Sequence, residues 1–184
     1  MDAIKIYGMR RSGTNYFKWL IEHNFEAIVV AKDKHNKPYT SNDWKAYVMV
    51  VKNPYSWVVS SIKHNDYKKL KFPRRIKLWN YDNRVFLDFI LKHQGFVIRY
   101  ETLISKPFEI LEEIRRFTGI RKTMAEYVLP KGMVTTAQTI SKTPFIKDYY
   151  LNEQYFKALT AEQVRIITNK VDKELLTGLG YESL

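Results

Sequence analysis

The chain has 184 residues and no cysteine, and 31 Lys and Arg residues against 19 Asp and Glu residues give it a formal net charge of +12. Apolar residues make up 45% of the sequence and aromatic residues 15%, so the chain can bury a core and a disordered protein is excluded. A disulfide scaffold and a cysteine-ligated metal site are also excluded, and no apolar run is long enough to span a membrane. We expect one domain, residues 1–184, and a cytoplasmic location because no signal-peptide cleavage site is present.

The first half of the chain alternates short apolar runs with segments of helical periodicity. A strand is predicted at residues 3–7, a helix at 14–24, a second strand at 27–31 and a polar loop at 33–43. A third strand is predicted at 46–51, followed by a helix at 54–64 because a proline suits the first turn of a helix. The basic segment 68–77 contains Pro73 and is predicted to be a loop or irregular.

The second half continues the alternation with fewer strands. A helix is predicted at 82–93 with Gly95 as its C-terminal cap, then a strand at 96–100 and a helix at 105–117 that ends before Gly119. Thr160 and Gln163 form a capping box that opens a last helix at 161–173.

Strands that are continuous apolar runs and that alternate with helices predict an α/β fold. We expect three layers, with a mostly parallel central sheet flanked by helices on both faces. In such sheets ligands bind at the carboxyl ends of the strands. The loops that follow the predicted strands are therefore the places to search for a site.

The positive charge is concentrated in the first half of the chain. Residues 1–84 hold 17 Lys and Arg residues against 7 Asp and Glu residues, whereas residues 85–184 hold 14 against 12. Such a basic half indicates an anionic partner, which can be a nucleotide, an acidic glycan, a nucleic acid or an anionic lipid.

The loop after the first strand has the pattern of a phosphate-binding loop. Gly8 and Gly13 are separated by four residues and precede a helix, whose first backbone N–H groups and dipole favour an anion. Arg10 and Arg11 supply cations within the loop. Gly13 is followed by Thr14 rather than by the lysine that a nucleoside triphosphate site requires, so a magnesium–ATP site is disfavoured.

The loop after the third strand brings a second cation to the same edge of the predicted sheet. Lys52 leaves the strand, Asn53 and Pro54 begin a helix, and Ser60 lies about two turns along that helix. A cation at a strand end and a hydroxyl on the following helix can bind one phosphate together.

Taken together, these loops resemble the sulfotransferase family that uses PAPS (3′-phosphoadenosine 5′-phosphosulfate). Residues 10–17, RRSGTNYF, are similar to its 5′-phosphosulfate loop, PKSGTTWL or PRSGTTxL. Residues 51–61, VKNPYSWVVSS, are similar to its 3′-phosphate motif, RNPxDxxxS, and residues 99–120, RYETLISKPFEILEEIRRFTGI, are similar to RYEDLxxxPxxxLxxIxxFLGI. The GTNY variant, followed by Lys34, His35 and Pro38, resembles a bacterial- or phage-type subgroup.

The resemblance implies a fold, a reaction and the residues that carry it out. The fold would be that of a P-loop-like sulfotransferase, and the reaction would move a sulfuryl group from PAPS to a hydroxyl or amine acceptor and release PAP, without a metal. The predicted PAPS-binding residues are Arg10, Ser12, Gly13, Thr14, Asn15, Lys52 and Ser60. Arg11 stands where the family has its catalytic lysine, and it would neutralise the charge that develops on the departing oxygen. The sequence departs from the family at Arg11, Asn15, Lys52 and Thr102, where the family has Lys, Thr, Arg and Asp.

A base must accept the proton of the acceptor, and histidine can do so at neutral pH. His35 follows the second predicted strand on the ligand side of the sheet and is the first choice. Asp33 is the second choice and His64 the third.

Two further segments are candidates for contact with a substrate. Residues 63–77 hold seven cations and one acidic residue, Asp66, and fit either an acidic glycan acceptor or a nucleic acid. Residues 131–147, with Lys131, Lys142 and Lys147, are poor in helix signals and are candidates to close over a nucleotide. The expected acceptor is a small molecule or glycan, anionic or polar. A basic nucleic-acid-binding domain on a degenerate phosphate-loop fold and a nucleotide kinase remain the alternatives.

Overall fold

Four parallel strands form the central sheet of the computed structural model, in the order β2-β1-β3-β4. The strands are β1 (Asp2–Tyr7), β2 (Ala27–Val30), β3 (Ala46–Val51) and β4 (Phe96–Arg99). The structure describes residues 1–62, 64–135, 139–142 and 144–182. β1 is central, since Ile4 pairs with Val29 of β2 on one side and with Ala46 of β3 on the other.

Helices cover both faces of the sheet. The described helices are α1 (Thr14–Asn24), α2 (Pro54–Ile62), α3 (Phe72–Lys92), α4 (Tyr100–Ser105), α5 (Pro107–Thr118), α6 (Asp148–Leu151), α7 (Ala161–Lys170) and α8 (Lys173–Gly178). Short 3₁₀ helices lie at Asn65–Tyr67 and Gln154–Ala158. None of the helices in the described ranges is both long enough and apolar enough to cross a membrane.

The alternation of side chains along the strands divides the core into two halves. Ile4 and Ile6 of β1 face α1, α4 and α5, whereas Tyr7 lies with the residues that pack against α2, α3, α7 and α8. Successive side chains of a strand point to opposite faces, and both faces are apolar here because both are covered. The predicted α/β fold, with a parallel sheet flanked by helices, is thus confirmed.

Several predicted boundaries agree with the structure. α1 and β3 have the predicted limits. The capping box is present, since the Thr160 side chain accepts from the Gln163 N–H and the Gln163 side chain accepts from the Thr160 N–H. Gly119 ends α5 in the left-handed conformation, with φ 67°.

Other boundaries differ for identifiable reasons. α3 begins at Phe72 rather than at residue 82, because Pro73 stands in its first turn, where the missing N–H costs no hydrogen bond. At its other end Gln94, not Gly95, is the left-handed residue, with φ 51°. Gly95 is required for a different reason, because there is no room for a side chain: a Cβ at this position would lie 2.7 Å from the Tyr47 carbonyl oxygen.

The end of the fourth strand and the last helix also differ from the prediction. Tyr100, predicted to end the strand, begins the short helix α4. The predicted helix at 161–173 is divided in two, because α7 ends at Lys170 and the Asp172 side chain caps a new helix, α8, by accepting from the Leu175 N–H.

The topology brings two strand ends together. The chain leaves β1 into α1 on one face, and it leaves β3, the neighbour of β1, into α2 on the opposite face. The carboxyl ends of β1 and β3 are therefore adjacent, with helices departing to either side. This arrangement opens a crevice of the kind in which α/β sheets bind ligands.

Candidate functional site

A cleft of about 280 Å³ opens at the carboxyl ends of β1 and β3. Its basic lining residues are Arg10, Arg11, Lys34, His35, Lys52 and His64. Gly13, Thr14, Asn15 and Thr135 also line it, with the apolar and aromatic side chains of Tyr16, Tyr100, Met133, Val134, Phe145 and Tyr150. Among the lining residues that the structure describes there is no aspartate or glutamate, so the cleft is strongly cationic.

The loop between β1 and α1 is shaped by two glycines and by a strained arginine. A Cβ on Gly8 would lie 2.4 Å from the Val50 carbonyl oxygen, and one on Gly13 would lie 2.2 Å from Cδ2 of Tyr100. Gly13 also has φ 96°, which other residues rarely adopt. Arg11 is left-handed as well, with φ 72°, an unfavourable backbone conformation of the kind found at ligand-binding sites.

The start of α1 offers backbone donors to the cleft. An α-helix leaves its first four N–H groups without helical partners, and the N-cap Gly13 supplies no side-chain cap. Thr14, in the first turn, is buried and lines the cleft. The helix dipole adds to the attraction that these donors have for an anion.

Ser12, one of the predicted PAPS-binding residues, lies inside the loop between β1 and α1. Its N–H and its hydroxyl both donate to the Met9 carbonyl, at 3.2 and 2.7 Å. Ser12 is 1% exposed and does not line the cleft, so its bonds shape the turn of the loop from inside. The Arg10 carbonyl is held from the other side by the indole N–H of Trp57, at 2.9 Å.

Lys52 and Ser60, which the sequence predicts to converge, are in contact. Lys52 Nζ donates to Ser60 Oγ at 3.1 Å, and Ser60 Oγ donates to the Ser56 carbonyl at 3.0 Å. Lys52 lines the cleft, whereas Ser60 lies behind it and fixes the ammonium. The Lys52 backbone is held by Trp79, whose indole N–H donates to its carbonyl at 3.1 Å.

The Lys52 ammonium lies in a largely aromatic environment. It is 4.7 Å from the ring centre of Tyr100 and 4.3 Å from that of Tyr150, both cation–π contacts. Burial lowers the pKa of Lys52; the carboxylate of Glu101 opposes this effect and Arg11 adds to it. Glu101 is itself engaged elsewhere, since it accepts hydrogen bonds from the Asn53 N–H and the Tyr181 hydroxyl.

Lys34 and His35 reach the cleft from the turn that follows β2. Lys34 Nζ donates to Asn15 Oδ1 at 2.6 Å. Burial, together with the nearby charges of Lys18 and Arg10, lowers the pKa of Lys34 to about 8. His35 donates from Nδ1 to the Gly8 carbonyl, and since a carbonyl only accepts, Nε2 is the basic nitrogen of the neutral ring.

The other two candidate bases lie in different surroundings. His64 lines the cleft, and its ring is 5.8 Å from that of Tyr67. Asp33 is exposed and does not line the cleft, and its carboxylate accepts from the Asn36 side chain at 3.0 Å. Of the three candidates, the structure therefore brings His35 and His64 to the cleft.

Part of the segment 131–147 forms a wall of the cleft. Asn15 ties it to α1 by donating from Nδ2 to the Thr135 carbonyl at 2.9 Å, and Phe145 stacks on Tyr16 with ring centres 5.9 Å apart. Lys131, Lys142 and Lys147 do not line the cleft. Residues 136–138 and 143 of this segment lie outside the described residues.

The described cations of the basic segment 63–77 are of two kinds, one buried and hydrogen-bonded and the others exposed. Arg75 is buried and donates to Ser61 Oγ and to the Tyr67 carbonyl, so it holds the start of α3 against α2. The exposed cations of this segment are Lys68, Lys69, Lys71, Arg74 and Lys77. Lys63 lies outside the described residues, as does the side chain of Asp66.

Lys34, Tyr100 and Tyr150 are the main site residues that the predicted set omits. Lys34 has a signal in the sequence, because it precedes His35 in the Lys-His-x-x-Pro pattern. Tyr150 has none, since it lies 98 positions after Lys52 and reaches it only through the tertiary fold. The cations and helix donors together can hold a multiply charged anion, and the aromatic wall beside them can pack against a planar or apolar group.

Comparison with models of known protein families gives no match to this chain, and comparison with curated proteins also gives none.

Proposed function

We propose that the chain is a sulfotransferase that moves a sulfuryl group from PAPS to a hydroxyl or amine acceptor and releases PAP. The observation that carries the proposal is that the two loops with family-like motifs share one cleft, lined by four Lys and Arg side chains and by no described carboxylate. Burial lowers the pKa values of Lys34 and Lys52, and nearby cations (Lys18 and Arg10 for Lys34, Arg11 for Lys52) add to this effect. An anion bound beside the two ammonium groups would stabilise their charged forms.

The residues divide into two phosphate-binding groups. The N–H groups at the start of α1, with Thr14 and Arg11, would hold the 5′-phosphosulfate. Lys52, oriented by Ser60, would hold the 3′-phosphate. Lys34 and Arg10 add positive charge to the same cleft, and several cations suit a ligand with more than one anionic group.

PAPS supplies the activated sulfuryl group: the acceptor oxygen or nitrogen forms a bond to sulfur, and the bond from sulfur to the phosphate oxygen breaks. Arg11 would stabilise the negative charge left on that oxygen. His35 would take the acceptor's proton at Nε2 and become an imidazolium, while the Gly8 carbonyl keeps the ring in place through Nδ1. The aromatic wall would exclude water, which otherwise competes with the acceptor for the sulfuryl group.

The test is a thermal-shift titration with PAP, 5′-AMP and ATP–magnesium. A ligand at about 100 times its Kd stabilises a protein by about 2.7 kcal/mol. For a chain of this size the Tm then rises by about 5–10 °C. We expect PAP to give this shift and the other two ligands to give much less. A shift with ATP only in the presence of magnesium, or no shift with PAP, would overturn the proposal.

A direct activity measurement follows from the same scheme. PAPS and a panel of phenols, alcohols, amines and acidic oligosaccharides are incubated with the protein, and released PAP is measured. PAP release by the Arg11→Ala variant is compared with that of wild type. Arg116→Ala, on the exposed surface of α5, is the matched control. We expect the first variant to abolish PAP release and the second to leave it unchanged. Full activity in Arg11→Ala would remove that residue from the mechanism.

A further inference from the structure

Lys5 is an unusual residue for the centre of a sheet. It lies in the middle of β1 and is 0% exposed, although lysine is rarely fully buried. It does not line the cleft, so the proposed transfer does not use it directly. A lysine at this position therefore needs a structural reason.

The ammonium of Lys5 lies among three aromatic rings. It is 5.1 Å from the ring centre of Tyr7 and 4.8 Å from the centres of Tyr39 and Trp44, and we call these three residues the aromatic box. Within the box, Lys5 Nζ donates to the Lys32 carbonyl. Burial lowers the pKa of Lys5, and the nearby carboxylate of Asp33 opposes this effect.

Apart from Tyr7, these partners of Lys5 belong to the connection between β2 and β3. Lys32 lies near the start of this connection, and Tyr39 and Trp44 lie farther along it. Tyr7, two residues after Lys5, fastens the same connection by donating to the Tyr39 carbonyl at 2.7 Å and accepting from its N–H at 3.0 Å. β1 thus holds the connection at Lys32 and again at Tyr39.

The residues between these two points include the cleft residues Lys34 and His35. The Gly8 N–H donates to the Lys34 carbonyl at 3.0 Å, and His35 donates to the Gly8 carbonyl. The turn is tight, since the Asn36 N–H donates to the Asp33 carbonyl at 3.0 Å. Because Lys34 and His35 follow Lys32 by only two and three residues in this turn, a displacement of the Lys32 backbone would also displace their side chains in the cleft.

We infer that Lys5 is a positioning residue for the cleft: by holding the Lys32 carbonyl inside the aromatic box, it fixes the turn that places Lys34 and His35 beside the phosphate-binding loop. Lys5 acts through the backbone of that turn and contacts no ligand. The inference rests on the proposed function only for the identity of the anion, because the placement of His35 can be measured without a ligand.

The test compares wild-type protein with Lys5→Met, which fills the box with an apolar chain of similar length but donates no hydrogen bond. Two-dimensional NMR of the ligand-free proteins follows the ring of His35 and the amide of Gly8. We expect both signals to move in Lys5→Met while that of His23, whose ring stacks on Trp19, stays in place. PAP affinity should fall about tenfold. Lys5→Arg, which keeps a charged donor, should restore both readouts towards wild type.

Ile4→Val is the matched control, because it weakens the core on the opposite face of the same strand. It should lower Tm while leaving the His35 signal and PAP affinity unchanged. An unmoved His35 signal in a folded Lys5→Met protein would overturn the inference. If wild-type protein binds no PAP, the proposed function fails, and the His35 signal still decides the role of Lys5.

A second measurement applies if Lys5→Met does not fold. Ammonium protons of lysine exchange rapidly with water unless they are buried and hydrogen-bonded. In wild-type protein we expect a protected Lys5 ammonium signal with a nuclear Overhauser contact to Lys32. The absence of any protected lysine ammonium signal would overturn the inference.

Discussion

Lys52 leaves the end of β3 and Ser60 lies two turns into α2, and their side chains meet at 3.1 Å. This contact is local enough to follow from the sequence: a strand, a proline at the start of a helix and a spacing of eight residues bring the two groups to one side of the helix. Ser60 also donates to the Ser56 carbonyl, so its oxygen is held in a fixed direction. The Lys52 ammonium is therefore held in a fixed position, as the proposed binding of a 3′-phosphate requires.

Ser60→Ala should weaken the binding of PAP by about tenfold, because a hydrogen bond to a charged group and the orientation of Lys52 are both lost. The affinity for 5′-AMP, which lacks the 3′-phosphate, should stay within about twofold of wild type. Isothermal titration calorimetry with both nucleotides measures this difference. Ser105→Ala is the matched control, since Ser105 is exposed at the end of α4 and its hydroxyl donates to the Thr102 carbonyl, outside the cleft. Equal losses for PAP and AMP would contradict the assignment of Ser60.

Lys34 should make the proposed binding of PAP dependent on pH. Its pKa is lowered to about 8 by burial and by the charges of Lys18 and Arg10. Below that pH the ammonium is charged and attracts the ligand, and above it the charge is lost. PAP affinity should therefore fall as pH rises from 7 to 9, whereas the ligand-free protein should gain stability from this group, because its unfolded form binds the proton more tightly.

The comparison with Lys34→Gln isolates the contribution of this lysine from that of Lys52, whose pKa is also lowered. Calorimetric titrations of PAP between pH 7 and 9 should give a shallower fall for the variant than for wild type, with the two affinities converging above pH 9. Parallel curves that keep the same separation throughout would show that Lys34 does not titrate in this range.

At the scale of single elements, the loop before α1 depends on close packing as well as on backbone conformation. Gly13 and Gly119 are both left-handed, with φ 96° and 67°. A Cβ on Gly13 would overlap the ring of Tyr100, whereas one on Gly119 would have no atom within 4 Å. Alanine substitutions at the two glycines therefore separate the free-energy cost of the left-handed conformation from that of the clash with Tyr100.

Gly119→Ala should lower the free energy of unfolding by about 1–2 kcal/mol, the usual cost of a left-handed non-glycine residue. Gly13→Ala adds the clash with Tyr100 and should cost at least about 3 kcal/mol. Urea denaturation of the two variants measures the difference. The double variant Gly13→Ala with Tyr100→Ala should be less destabilised than the sum of its single changes. Equal losses for the two glycine variants would mean that Tyr100 moves aside without cost.

The sequence predicts elements well where the signal is local and poorly where it depends on tertiary contacts. The limits of α1 and β3 follow from apolar periodicity and from the glycine and proline that border them. The first turns of α3 are basic and contain Pro73, and their helical state depends partly on the burial of Arg75 against Ser61 and Tyr67. The contact between Asn15 and the Thr135 carbonyl joins residues 120 positions apart, and no local pattern indicates it.

At the scale of the whole molecule, two groups of cations lie in the basic first half of the chain. One group lines the cleft, and the other consists of the exposed cations between Lys68 and Lys77. Trp79 donates to the Lys52 carbonyl, so the N-terminal half of α3 lies near the cleft end of the sheet. An anionic ligand that approaches this end meets a positive field, which speeds association and weakens with salt.

The dependence of binding on salt separates a nucleotide bound in the cleft from a nucleic acid bound along the surface. A protein that makes about 6–10 phosphate contacts loses about 10³–10⁵ in affinity between 50 and 200 mM salt. PAP is a small ion without the condensed counterion layer of a nucleic acid, so its affinity should fall much less steeply over the same range. We expect wild-type protein to bind PAP with this shallow dependence.

Replacing Lys68, Lys69 and Lys71 by glutamine should leave PAP affinity within about threefold of wild type, because these residues lie outside the cleft. A single-stranded oligonucleotide that binds more tightly than PAP at 50 mM salt, and loses this binding in the triple variant, would instead favour a nucleic-acid-binding protein.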